Sequence, residues 1–121
     1  MDHIELGKWG EDIACSYVED KGWRILDRNV TFPRGELDIV AIDKEELVVV
    51  EVRTRSVGVV MSPEQSVGPQ KICRLVRTGL SYVQEARWNG PWRNDIVGIT
   101  VNNGRYSLRH TEDITSGMGY M

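Results

Sequence analysis

Two runs rich in Val and Ile, Glu36–Asp43 and Glu46–Thr54, are separated only by Lys44-Glu45. Runs of this length and composition read as β-strands, and a two-residue connection forces them into an antiparallel hairpin. If Lys44-Glu45 closes the turn, Ile42 faces Leu47, Val40 faces Val49, Asp38 faces Glu51 and Glu36 faces Arg53. Side chains alternate along a strand, so all eight project from one side of the hairpin. An isolated two-stranded hairpin is marginal in water, which requires further strands and a covering layer.

The rest of the chain supplies both. From Gly7 to Lys21, Trp9, Ile13, Ala14, Tyr17 and Val18 recur at helical spacing, and Gly22 follows as a C-cap. Glu11 falls at the margin of that apolar stripe, whereas Asp12 and Glu19 point away. Trp23–Val30 reads as a first strand, with Trp23, Ile25 and Asp27 on one side, and Phe32-Pro33-Arg34-Gly35 as a turn. The stretch from Ser56 to Pro69 reads mostly as loop. Pro69 opens a second helix to about Ala86, with Ile72, Leu75, Val76, Gly79, Tyr82, Val83 and Ala86 on its apolar side. Lys71 lies at the stripe's margin, and Arg74 and Arg77 face away. Asp95–Val101 and Arg105–His110 form a hairpin around Asn102-Asn103-Gly104. The fold class expected is α/β, a mixed central sheet flanked by helices in the order α-β-β-β-α-β-β. One domain over residues 1–121 suffices, with a loose tail from about Thr111.

Composition narrows the partners less than position does. The net charge of −3 is unfavourable for phosphate binding as an average. In blocks, however, residues 1–20 carry −5, 21–35 carry +3, 36–52 carry −5, 53–87 carry +4 and 88–121 carry none. An acidic centre between two basic segments suits a metal site beside a phosphate-binding surface, and equally suits ordinary solvated faces. Cys15 and Cys73 form neither a disulfide framework nor a zinc pattern, and read as small apolar residues in a reducing cytoplasm. The first residues carry no export signal, and no apolar stretch is long enough to cross a membrane. His3 and His110 are isolated, and Trp88 and Trp92 read as cover for a sheet edge.

Asp38 opposite Glu51 is the feature that asks for chemistry. Like charges across a strand pair are destabilising, and a carboxylate in an apolar strand needs a partner. A divalent cation answers this: Mg²⁺ takes one or two carboxylates and keeps its other positions for water and phosphate, where it can activate a water. Arg53, one pleat along from Glu51, answers it equally as a structural salt bridge to both acids.

Five stretches in order resemble the YraN-like family of predicted endonucleases: Gly7–Ala14, Gly22–Asn29, Gly35–Val40, Val50–Arg55 and Val67–Lys71. Asp95-Ile96-Val97 resembles a later strand of the same family. That family is similar to archaeal Holliday-junction resolvases, within the restriction-endonuclease-like superfamily. The resemblance implies Mg²⁺ or Mn²⁺ held by Asp38, Glu51 and the backbone carbonyl of Val52. Glu11, Asp38, Glu51 and Arg53 would be the catalytic residues, acting on DNA of branched or otherwise structured form. Arg55, Lys71, Arg74 and Arg77 would contact the nucleic acid, and resolvase-like relatives imply a two-fold dimer. Glu36 also matches a family Glu and is assigned to pairing Arg53 or a neighbour.

One position departs from the pattern. The family usually carries Lys where this chain has Arg53. Arg keeps the charge, but its planar, strongly basic head accepts no proton near neutral pH. Three readings follow: a metal-dependent endonuclease of DNA, a nucleic-acid-binding module of the same fold whose catalysis is impaired, or a structural or protein-interaction domain whose acids Arg53 neutralises. Lys71 offers an ammonium from another direction.

Overall fold

The computed structural model describes residues 2–58 and 66–115. The elements are α1 (His3–Asp20), β1 (Arg24–Phe32), β2 (Gly35–Asp43), β3 (Glu46–Ser56), α2 (Pro69–Glu85), β4 (Trp92–Asn102) and β5 (Arg105–Thr111). Their order is the one expected. α1 starts four residues before Gly7, because Asp2 caps it: the Glu5 N–H donates to Asp2 Oδ1 at 2.8 Å. β4 starts three residues before Asp95. Trp92, Arg93 and Asn94 pair in parallel with Leu47, Val48 and Val49, a tertiary pairing that no local pattern announces.

The sheet order is β1-β2-β3-β4-β5. β3 and β4 are parallel, with α2 as the crossover between them, and the other neighbours are antiparallel. Alternation along the strands gives each face its own helix. On one face Ala14, Cys15 and Val18 of α1 pack with Ile39, Ala41, Val48, Val50, Val97 and Ile99. On the other, Tyr82 and Val83 of α2 pack with Leu37, Val40, Leu47 and Val49, joined by Trp88 and Trp92. Each fully buried Val or Ile side chain stabilises the fold by about 1.5–3 kcal/mol relative to exposure. The sandwiched strands are therefore the energetic centre.

Residues beyond Thr111 are not loose throughout. The Ile114 N–H donates to Asn94 O at 2.8 Å, and its side chain is buried with Val67, Ile72, Leu75 and Ile96. This corrects the expected tail for 111–115, and the remainder lies outside the described residues, as does the 59–65 part of the expected loop. Among the described residues no helix is long and apolar enough to cross a membrane.

α1 lies so close to β3 at Gly10 that a Cβ there would overlap Thr54 Oγ1 and stand 3.2 Å from Thr54 Cβ. Gly10→Ala is expected to destabilise the protein by about 1–3 kcal/mol through overpacking. A thermal melt checks this, and an unchanged midpoint would show that the helix can move away freely.

Three irregularities shape the middle of the sheet. A bulge between Ile25 and Asp27 leaves Leu26 without a partner. It sends Asp27 to the α2 face, where the Tyr82 hydroxyl donates to Asp27 Oδ2 at 2.6 Å. Asp27 therefore does not share the side of Trp23 and Ile25, as uninterrupted alternation predicts. Next, Asn29 adopts φ 53°, and the β1–β2 register passes from Arg28↔Ile39 to Val30↔Leu37 around Asn29 and Asp38. Finally, the β2–β3 pairing ends at Ile39↔Val50. Beyond it, Leu37–Gly35 stay paired with β1 and Glu51–Ser56 stay paired with β4. The sheet forks there, with Asp38 on one arm and Glu51 on the other.

Candidate metal centre and nucleic-acid surface

The fork explains how acids reach one point from an apolar sheet. Ile39 faces α1 whereas Leu37 faces α2, so Asp38 occupies the turnover in alternation. Its Oδ2 accepts the Val52 N–H at 2.9 Å, taking up a main-chain donor just past the end of the β2–β3 pairing. The direct Asp38/Glu51 and Glu36/Arg53 pairings of an unbroken hairpin are thus replaced. Asp38 bonds across the fork, and Glu36 pairs instead with Thr31 and is exposed.

Glu51 continues the alternation of Leu47 and Val49 and projects toward α2. It is 5% exposed. Burial, then the neighbouring Asp38 charge and its hydrogen bond, push its carboxyl up to about 8, and Lys71 and Arg53 oppose this only in part. Lys71 Nζ stands 3.4 Å from Glu51 Oε2, nearer than Arg53 Nη1 at 3.9 Å. Arg53 Nε meanwhile donates to Ser66 Oγ at 3.1 Å. Among the described residues Arg53 forms no salt bridge to Asp38, so it does not bridge the two acids.

Glu11 comes from the other side. Its position at the stripe margin leaves it half-buried, and burial followed by the Asp38 charge raises its carboxyl above the usual range, with Arg28 and Asn29 offsetting part. Its Oε1 is buried without a hydrogen-bond partner among the described residues, and Arg28 Nη2 lies 3.7 Å from it. Three acids from α1, β2 and β3 therefore share one electrostatic site, where Arg28, Arg53 and Lys71 offset their mutual repulsion and burial only in part. Among the described residues no group of three or more His, Cys, Asp or Glu side chains is placed to hold a metal ion together. The donors suit an ion that keeps several waters, as Mg²⁺ does with one or two carboxylates. Asp38 and Glu51 are the two side chains that could hold such an ion, and the Asp38 bond to the Val52 N–H holds the Val52 peptide beside Asp38.

The four basic residues expected on the nucleic acid divide. Lys71 joins the acids. Arg74 and Arg77 are exposed on α2 and line a recess of about 720 Å³ with Arg34, Pro69, Gln70 and Cys73. Cys73 is therefore half-buried in a groove rather than a core residue. Arg55 shares a cleft of about 200 Å³ with Val52 and Arg53 of the centre and with His3, Leu6 and Gly7 of α1, its Nη1 donating to Thr54 O at 3.0 Å.

A second polar cluster went unread in the sequence. Asp95, fully buried, accepts from Arg93 Nε at 2.9 Å and the Asp113 N–H at 2.9 Å, and lies 2.8 Å from His110 Nε2. Burial alone would raise its carboxyl, but these bonds outweigh it and hold the carboxyl below the ordinary range. His110 Nδ1 meets the Tyr17 hydroxyl at 2.9 Å, and Arg93 also binds Glu46 and Asp43. His110 is thus not isolated. The available signal was an Asp opening an otherwise apolar strand run at Asp95-Ile96-Val97. Among the described residues no buried side-chain N or O of this cluster lacks a hydrogen-bond partner, which makes it a clamp joining α1, β4 and β5.

A mixed five-stranded sheet with a helix on each face and an acidic fork in its middle defines the class. Residues 10–99 match the uncharacterised protein family UPF0102, and the chain belongs to that family. It is 40% identical over 112 residues to a UPF0102 protein of Bacteroides thetaiotaomicron, covering 93% of each chain. It is 45% identical over 108 residues to one from Syntrophotalea carbinolica, covering 88% of each, and 38% identical over 112 residues to one from Flavobacterium psychrophilum, covering 93% of this chain and 94% of that one.

Proposed function

We propose that the protein is a metal-dependent endonuclease that hydrolyses phosphodiester bonds in DNA, with branched or structured DNA among its substrates. The observation that carries this reading is the meeting of Asp38 and Glu51 across the fork, where burial makes a second negative charge costly. When bound there, Mg²⁺ or Mn²⁺ would supply charge for the scissile phosphate and an activated water. Asp38 and Glu51 would hold it, with the Val52 carbonyl as a third donor. Glu11, with one oxygen lacking a hydrogen-bond donor, would orient a water from the α1 side. Arg53 and Lys71, both beside Glu51, would stabilise the charge that grows on the phosphate as its bond breaks. The purified protein is expected to nick a flap or four-way junction in Mn²⁺ and to stop on chelation. Absence of nicking on every branched substrate would refute the assignment.

The second reading, a nucleic-acid-binding module with impaired catalysis, is favoured by Arg53. Its side chain is tied to Ser66 and cannot exchange a proton near neutral pH. Arg53→Lys separates the two. If the parent is an enzyme, the variant is expected to nick about tenfold faster or more, measured as single-turnover rate. If only the variant cuts, the parent is a binder. A variant no faster than a cutting parent would show that Arg53 already performs the Lys role.

A further inference from the structure

α2 spans the fork. Lys71, in its first turn, lies against Glu51 on the β3 arm. One turn later Arg74 lies against the β2 arm: a Cβ on Gly35 would sit 3.6 Å from Arg74 Cδ and 3.2 Å from Thr78 Oγ1. Residues three apart are neighbours on a helix, so Lys71, Arg74 and Arg77 follow one another along an inclined cationic ridge that winds away from the acids. Arg34, on the β1–β2 turn, faces this ridge across the recess of about 720 Å³. A neighbouring recess of about 590 Å³, lined by Gly68, Pro69, Gln70, Lys71 and Arg74, continues it toward Glu51. Neither lining contains an acid, and among the described residues Arg34, Arg74 and Arg77 make no salt bridge.

Three exposed guanidiniums gathered around one recess, with no salt bridge among the described residues, make a local cationic patch in a protein of net charge −3. Placed on two facing walls, they match a flexible polyanion that can enter between them. The volume is that of a site for a small ligand. The lining of the recess sets those three arginines beside Pro69, Gln70 and Cys73. Phosphates along one strand against the arginines, with sugars against Pro69 and Cys73, match that mixed lining.

We propose that the groove between α2 and the β1–β2 turn binds the sugar–phosphate backbone of a single nucleic-acid strand and leads it to the acidic fork. The assignment rests on the nuclease reading only for what happens at the fork's end. A substrate with a single-stranded tail joined to duplex would place the tail along Arg34, Arg77 and Arg74 and the junction at Lys71 and Glu51.

The test is fluorescence anisotropy in chelator, with a labelled oligothymidine, a blunt duplex and a tailed duplex, across a salt series. The wild-type protein is expected to bind the oligothymidine and the tailed duplex at least tenfold more tightly than the blunt one. The combined Arg34→Ala, Arg74→Ala and Arg77→Ala variant, shown to be folded by its thermal melt, is expected to lose about tenfold or more. Its salt slope should fall by about two, since each single-strand phosphate contact contributes about 0.7. If the triple variant does not fold, Arg34→Glu alone, on an exposed turn, is expected to weaken tail binding by severalfold. An unchanged slope, or a blunt duplex bound as tightly as the tail, overturns the proposal. Failure of the nuclease reading would look different, as tail binding with the expected slope but no cutting in Mn²⁺.

Discussion

Asp38→Asn is expected to abolish nicking, by about 10³-fold or more, while leaving the protein folded. The amide oxygen can still accept the Val52 N–H that Asp38 Oδ2 accepts at 2.9 Å, so the fork keeps its shape. What disappears is one of two carboxylates able to hold a divalent cation, and losing one preorganised electrostatic group at a reacting phosphate costs a factor of this order. The variant should melt no lower than the wild type without metal, because a like charge beside Glu51 has gone. Asp38→Ala, in contrast, leaves the Val52 N–H without its acceptor and should melt lower. Cutting that survives in Asp38→Asn would place the chemistry elsewhere.

The parts of this site that were legible in the sequence are those set by local pattern. Val40 opposite Val49 and Ile42 opposite Leu47 followed from a two-residue turn, and the structure has both pairs. Glu11 at a stripe margin followed from helical spacing, and it is half-buried beside Asp38. What could not be read are the places where alternation stops. Asn29 in a left-handed conformation, the bulge at Leu26 and the end of pairing at Ile39↔Val50 are settled by competition between neighbouring strands. Period-two reasoning carried through them placed Asp27 on the wrong face and Glu36 opposite Arg53. Lys71 reads in sequence as marginal to its stripe, a nucleic-acid contact and an ammonium from another direction, but its nearness to Glu51 depends on how α2 crosses the fork. Arg34 gave no signal at all within a turn.

The second large effect is on stability against pH. Glu51 has a folded-state value of about 8 against an ordinary 4.5. Its contribution is therefore fully present below about 4.5, where both states are protonated. It is lost as pH rises toward 8, because the unfolded chain ionises freely while the buried carboxyl resists. Metal-free protein is expected to weaken by a few kcal/mol between about pH 5 and 8, with Glu11 shifted in the same direction. Asp95, whose carboxyl is held low, acts in the opposite sense and only as pH falls below the ordinary Asp range. Glu51→Gln, which cannot ionise, should melt about 10 °C above the wild type at pH 8 without metal. Saturating Mn²⁺ should raise the wild type and leave the variant where it was. A wild-type midpoint that is flat from pH 5 to 8 would contradict the burial of an ionisable Glu51.

The coupled turnover at Asn29 and Asp38 also limits how this chain can vary in length. Arg28 reaches the acids of α1, whereas Val30 and Phe32 pack on the α2 side with Leu37. Removing one residue between Ile25 and Leu37 would swap those destinations, aiming an arginine at a hydrophobic layer and two apolar side chains at the wrong helix. Relatives should therefore tolerate substitutions there far more readily than gaps. Length changes should gather instead at the Asn102–Arg105 hairpin turn, where an added residue reverses nothing.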